Sequence, residues 1–181
     1  MTVDAAHEDT RRWLAASLIW LVAGFAFPFL APATATLSQR LTRYLSTAAG
    51  MEEELAFRVA FTIIRIPLVA GWAILVAAVQ CALVRRLRPV TQRWLVAAAI
   101  GACIATLIYL PSTLVAPQIA GGPLTGRSNL LLLVPGAGMH AALISLLQRR
   151  ACRKSVVVPG RFIVVSVLAA GLGAFIGFKA P

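Results

Sequence analysis

Carboxylates are scarce in this 181-residue chain: six Asp and Glu stand against 17 Lys and Arg, for a net charge of +11. There are two histidines, and the three cysteines (Cys81, Cys103, Cys152) make no CxxC pair, so neither a disulfide framework nor a zinc site is suggested. The cysteines are expected as small packing residues. A Walker loop, a Rossmann fingerprint, a nucleophile elbow and an HExxH pair are all missing. No long apolar run holds a carboxylate, the group that proton-coupled transport usually needs within a membrane. Charged residues make up only 13% of the chain and hydrophobic ones 60%, too little charged surface for a soluble domain of this size.

What the chain has instead is long apolar runs, at roughly 13–33, 66–84, 94–116, 130–148 and 157–178. About 17–25 such residues cross the hydrocarbon core as a helix, and helix satisfies the backbone where an open sheet would not. The expectation is an all-α polytopic membrane helical bundle of five transmembrane helices, one integral membrane domain over residues 1–181. Trp13 opens the first run, and Pro28 and Pro32 mark its outer end. Arg11-Arg12 ahead of it and Ala33-Thr34-Ala35 after it are faintly signal-like, but the run is long for a signal core and is read as an uncleaved anchor.

Placement of the cations argues against nucleic acid as a partner. With five alternating spans, Arg11, Arg12, Arg85, Arg86, Arg88, Arg93, Arg149, Arg150, Arg153, Lys154 and Arg161 fall on one side, leaving Arg40, Arg43, Arg58, Arg65, Arg127 and Lys179 for the other. Eleven against six is the positive-inside pattern of a bacterial inner-membrane protein, N-terminus cytoplasmic and C-terminus external. Between spans one and two, Leu37, Leu41, Tyr44 and Leu45 recur at helical spacing, which predicts an external interfacial amphipathic helix over about 36–49, ended by Gly50.

The hairpins of spans two–three and four–five share a plan: apolar helix, Arg-Arg, basic turn, aromatic (Trp94, Phe162), then a Gly/Ala-rich helix. A duplicated helical hairpin is one explanation, and the positive-inside pattern alone is another. The spacing Gln80…Arg85-Arg86…Trp94…Gly101 resembles a hairpin recurrent in poorly characterised bacterial multi-pass membrane proteins, with Ile144 at the glutamine position of the second copy. That resemblance implies no activity.

Three of the six carboxylates are consecutive, in MEEELAFRVAF. Glu53-Glu54-x-x-Phe57-Arg58 resembles the EExxxR motif of the CAAX-protease and bacteriocin-processing intramembrane family. The resemblance implies a glutamate that activates water for peptide hydrolysis, carried here by Glu53 and Glu54 with Arg58, and with His140 as the later histidine. The family's FxxxH motif has no counterpart. Read from the residues alone, the glutamates are a helix start favoured by the macrodipole, and Glu54–Arg58 is an i, i+4 pair.

Glu54, Arg58, Thr62 and Arg65 fall along one helical face, a candidate polar patch for a lipid or partner. Arg65 either snorkels or pairs back toward Glu54, or it faces a cavity. His140 in span four could ligate one haem or pigment, with Gly136 giving a flat ring access, or it could bond a helix carbonyl or hydroxyl. Gly138 with Ala142, and Gly173 with Gly177, are small-xxx-small faces for helix packing. The resulting expectation is a non-enzymatic accessory, scaffold or assembly component without metal or cofactor. Its partners would be membrane lipids, other membrane proteins or further copies of itself. A protease relative, a pigment-binding protein and a small-molecule transport subunit are the alternatives.

Overall fold

The computed structural model describes the backbone of residues 3–119 and 126–179 and the side chains of 10–26, 28, 29, 34–84, 87–109 and 132–179. These residues form long helices joined by short turns: α1 (Val3–Ala49), α2 (Glu53–Leu83), α3 (Thr91–Ile119), α4 (Gly126–Cys152) and α5 (Gly160–Lys179), with a 3₁₀ turn over Arg85–Val90. Among the described residues three stretches are long and apolar enough to cross a bilayer, Glu53–Leu83, Leu87–Tyr109 and Gly160–Lys179. The other two expected spans, 13–33 and 130–148, run partly through residues whose side chains lie outside the described set, as does that of Arg127.

The separate interfacial helix over 36–49 is not observed. The backbone stays helical from Val3 to Ala49, through Pro28 and Pro32. The physical reason lies in which face of this segment is buried. Leu37 and Tyr44, expected to seek the membrane surface, are exposed, whereas Thr34, Ser38 and Thr42 are buried. Their small side chains let α1 lie close along the start of α2, which buries Ala56 and Ala60. Ser38 and Thr42 donate to the carbonyls of Thr34 (2.6 Å) and Ser38 (2.7 Å), so burial leaves neither hydroxyl unsatisfied. Packing against α2 thus favours continuing α1 as one helix past two prolines that would otherwise break it. The helix does end at Gly50, whose φ of +63° reverses the chain and lets the Met51 amide bond the Leu45 carbonyl at 3.3 Å.

Each helix packs on the next, and α1 also packs on α5, which closes a ring. Consecutive helices run antiparallel, so with five members α1 and α5 are parallel neighbours. Trp13 meets Phe162 at one level, and Phe25 meets Gly177 further along. No short loop can set a parallel pair, and here backbone contact does so. A Cβ added to Gly173 would lie 2.0 Å from the Leu21 carbonyl oxygen, one on Gly177 2.2 Å from that of Phe25, and one on Gly24 2.1 Å from that of Ala170. Gly138 is under less constraint, since a Cβ there would lie 3.5 Å from Val167 Cγ1, and Ala142 four residues on is half-buried.

Small and polar side chains fill much of the interior between the buried rings of Trp13, Trp20, Trp94 and Phe162. Ala16, Ala77, Ala98, Ala102 and Ala141 are buried, as are Gln80, Thr106, His140 and Gln148, while Leu18, Val22, Leu107, Leu168 and Leu172 face outward. Substituting Gly173 or Gly24 by Ala is expected to cost about 1–3 kcal/mol, because two backbones must separate. Gly71→Ala meets nothing within 4 Å and serves as the control, expected neutral or mildly stabilising. Unfolding in detergent, followed by tryptophan fluorescence, measures both. A Gly173→Ala protein as stable as the parent would contradict the seam.

Candidate functional site

Buried polar side chains gather at two levels of the bundle. At the level of α1 residue 16, Gln80 is fully buried and bonded on both ends. Its Nε2 donates to the Ala16 carbonyl at 3.2 Å, and its Oε1 accepts from Trp94 Nε1 at 3.1 Å and Gln148 Nε2 at 3.5 Å. One amide therefore ties α1, α2, α3 and α4 together. Trp13, Trp94 and Phe162 close over this end with ring centroids 5.2–6.1 Å apart. The Gln80-to-Trp94 spacing has a plain origin: the tight turn sets the last turn of α2 level with the first turn of α3. In the other hairpin Ile144 lies against Gly101, and Gln148, four residues on, supplies the amide.

The second level is centred on His140. Its Nδ1 is 2.7 Å from the Gly136 carbonyl, which can only accept, so Nδ1 carries the proton. Nε2 is then the acceptor for the Thr106 hydroxyl at 3.2 Å. Tyr109 packs edge-on to His140 at 6.1 Å, donates to the Leu132 carbonyl, and occupies the space that Gly136 leaves free. A Cβ on Gly136 would come within 2.6 Å of the tyrosine ring. Gly136 thus admits Tyr109 and not a macrocycle, and the cavity that His140 lines measures only about 20 Å³. Thr106 and Tyr109 did not stand out in the sequence; their signal is a pair of polar tips three residues apart, on one face of an apolar helix.

Arg65 joins this level from α2. Its guanidinium carbon lies 5.2 Å from the Phe61 ring and 5.8 Å from the Tyr109 ring, both in the range of cation–π attraction. Among the described residues no carboxylate lies in ion-pair range of it. Glu54 instead pairs with Arg58 on the exposed surface, and Thr62 donates to the Arg58 carbonyl at 2.8 Å. The four residues of the expected patch therefore part company: Glu54, Arg58 and Thr62 stay along the outer face while Arg65 turns in toward α3.

The glutamates and the histidine do not converge. His140 and Val69 line one cavity, and Val69 is 15 residues beyond Glu54 on α2. At 1.5 Å per residue that is about 22 Å of helix, where shared activation of one water needs hydrogen-bond reach. Glu53 and Glu54 border an open cleft of about 720 Å³ with Gln39, Thr42, Arg43 and Phe57, at the far end of the α1–α2 hairpin. Among the described residues no group of three or more His, Cys, Asp or Glu is placed to hold a metal ion. No protein-family model, curated protein or solved structure matches the chain.

Replacing Gln80 with Leu is expected to destabilise the bundle by about 1–3 kcal/mol, since Trp94 Nε1 and Gln148 lose their buried acceptor. Unfolding and the Trp emission maximum in detergent check it; an unchanged midpoint would show that the amide is dispensable. Glu54→Gln, which alters an exposed helical pair, is expected to change the same midpoint by less than about 0.5 kcal/mol.

Proposed function

We propose that the chain is a five-pass inner-membrane protein, N-terminus cytoplasmic and C-terminus external, that acts without catalysis as an accessory or scaffold for other membrane components. The block in which all five helices lie side by side is as tall as α5, whose 20 residues rise about 30 Å, the thickness of the hydrocarbon core. Its outward leucines and valines and inward alanines and amides suit lipid on the outside. The matching aromatics Trp94 and Phe162, 5.9 Å apart, favour a duplicated hairpin within that block.

The observation that carries the accessory role is the overshoot of α1. Phe25 lies beside Gly177, two residues before α5 ends at Lys179, yet α1 continues from Phe25 to Ala49, 24 residues or about 36 Å. Tyr44 is 65% exposed and Leu37 46% exposed on this extension, with Arg40 and Arg43 also outward. Aromatic, aliphatic and arginine side chains together are the composition of a protein-binding surface. Two of the groups that could do chemistry have partners of their own, Glu54 with Arg58 and His140 with Thr106 and Gly136.

In a cysteine-free background, Thr47→Cys is expected to react with an impermeant maleimide on intact spheroplasts, and Ser155→Cys only after lysis; the reverse pattern would invert the topology. Leu37→Glu with Tyr44→Glu is expected to remove a stoichiometric partner from the detergent-purified complex while leaving the melting midpoint unchanged. Peptide hydrolysis by the purified chain that Glu54→Gln abolishes would overturn the non-catalytic reading.

A further inference from the structure

Glu54 is the last side-chain carboxylate in the sequence, so α3, α4, α5 and the turns between them carry arginine and lysine with no acidic side chain among them. The other carboxylates at the basic end, Asp4, Glu8 and Asp9, belong to α1, which packs on α2 and α5. The α3–α4 seam lies across the ring from that helix. On its outer side is a groove of about 440 Å³ lined by Gln92, Arg93, Val96, Ile100, Leu147 and Arg150. Arg93 and Arg150 are exposed at its basic end, and neither forms an ion pair with a described residue. From Arg93 to Ile100 the α3 wall runs about 10 Å and changes from charged to apolar. Val96 and Ile100 are each about half exposed there, 52% and 50%.

A cationic rim above an apolar trough is complementary to one kind of molecule, a phosphate attached to a hydrocarbon chain. We propose that this groove is a binding site for an anionic glycerophospholipid, its phosphodiester held by Arg93 and Arg150 and one acyl chain laid along Val96, Ile100 and Leu147. The inference rests on α3 and α4 crossing the bilayer with their basic ends at headgroup depth. Paired arginines there attract anionic lipid, and the trough distinguishes a seated molecule from the diffuse attraction of any basic loop. Gln92 adds a neutral hydrogen-bonding group at the rim, suited to a glycerol headgroup.

The test is native mass spectrometry of the full chain in mild detergent, titrated with phosphatidylglycerol or with phosphatidylcholine of the same acyl composition. The parent is expected to retain phosphatidylglycerol about tenfold better than phosphatidylcholine. Arg93→Gln with Arg150→Gln is expected to abolish the preference, while Arg153→Gln with Lys154→Gln, the same charge loss outside the groove, leaves it within about twofold. Val96→Trp fills the trough and is expected to weaken retention of both lipids with every arginine intact. Melting without added lipid confirms that each variant is folded, and the comparison of the two lipids on the parent decides the question where one is not. No preference for phosphatidylglycerol in the parent, or equal loss on replacing Arg153 and Lys154, would overturn the site. Displacement of the lipid by glycerophosphoglycerol alone would show an anion site without a role for the acyl chain and would overturn it too. Failure of the membrane reading is seen separately, as release of the chain from membranes by alkaline carbonate.

Discussion

The contact on which the bundle depends is backbone against backbone, where Gly173 and Gly177 of α5 meet the carbonyls of Leu21 and Phe25 on α1, and Gly24 returns the contact on Ala170. Antiparallel neighbours are brought together by their turns; the parallel pair that closes an odd-numbered ring has no turn and must be held by surface fit. Lipid gives helices little hydrophobic reason to associate, so dispersion at close range and satisfied polar groups have to supply the attraction. Glycines at i and i+4 serve both needs, because they bring many atoms within contact distance and let carbonyls approach Cα hydrogens. Once α1 is seated on α5, Trp13 reaches Phe162 and Trp94, and the Ala16 carbonyl comes within reach of Gln80.

That last bond shows how the interior is kept specific. Alanine against alanine packs acceptably in several registers, so small residues alone do not select one. Gln80 bonds to Ala16, Trp94 and Gln148 together in a single alignment of four helices, and His140 with Thr106 and Gly136 fixes α3 on α4 in the same way. A slip of one residue would leave buried donors without acceptors, at a cost comparable to the whole gain from packing a side chain. Polar residues in the core of this bundle thus act as alignment pins, which is a structural duty and does not by itself mark a site of chemistry.

Much of this was legible in the sequence because it depends on local features. Apolar run lengths gave helices over 66–84, 94–116 and 157–178, Gly50 marked the end of a helix, and the two hairpins were separable by their Arg-Arg turns. The continuity of α1 was not legible, since Pro28, Pro32 and the stripe of Leu37, Leu41, Tyr44 and Leu45 all argue locally for a break. Only the presence of α2 makes the Thr34, Ser38 and Thr42 face the better one to bury. Arg65 was readable as a costly charge, but its turn toward Tyr109 depends on a residue 44 positions away. Gly24, a lone glycine with no spacing partner, gave no sign that it answers the glycines of α5. The α3–α4 groove likewise exists only when two distant turns are brought side by side.

The two ends of the molecule differ in a way that bears on where interactions can occur. At the Trp13–Trp94–Phe162 end α2, α3, α4 and α5 finish at their turns while α1 begins ten residues ahead of Trp13, and aromatic rings fill the centre. At the opposite end α5 stops while α1 and α2 continue, so these two long helices lose a neighbour and gain exposed faces. Charge is divided by helix as well as by end: α3, α4 and α5 bring only cations to the closed end, where Asp4, Glu8 and Asp9 belong to α1, and the open end holds Glu52, Glu53 and Glu54 beside Arg40, Arg43 and Arg58. The α3–α4 side of the closed end, cationic with no acidic side chain of its own, suits an abundant anionic ligand such as lipid. A surface with both signs beside exposed Tyr44 and Leu37 selects by pattern, and that discrimination suits a folded protein partner.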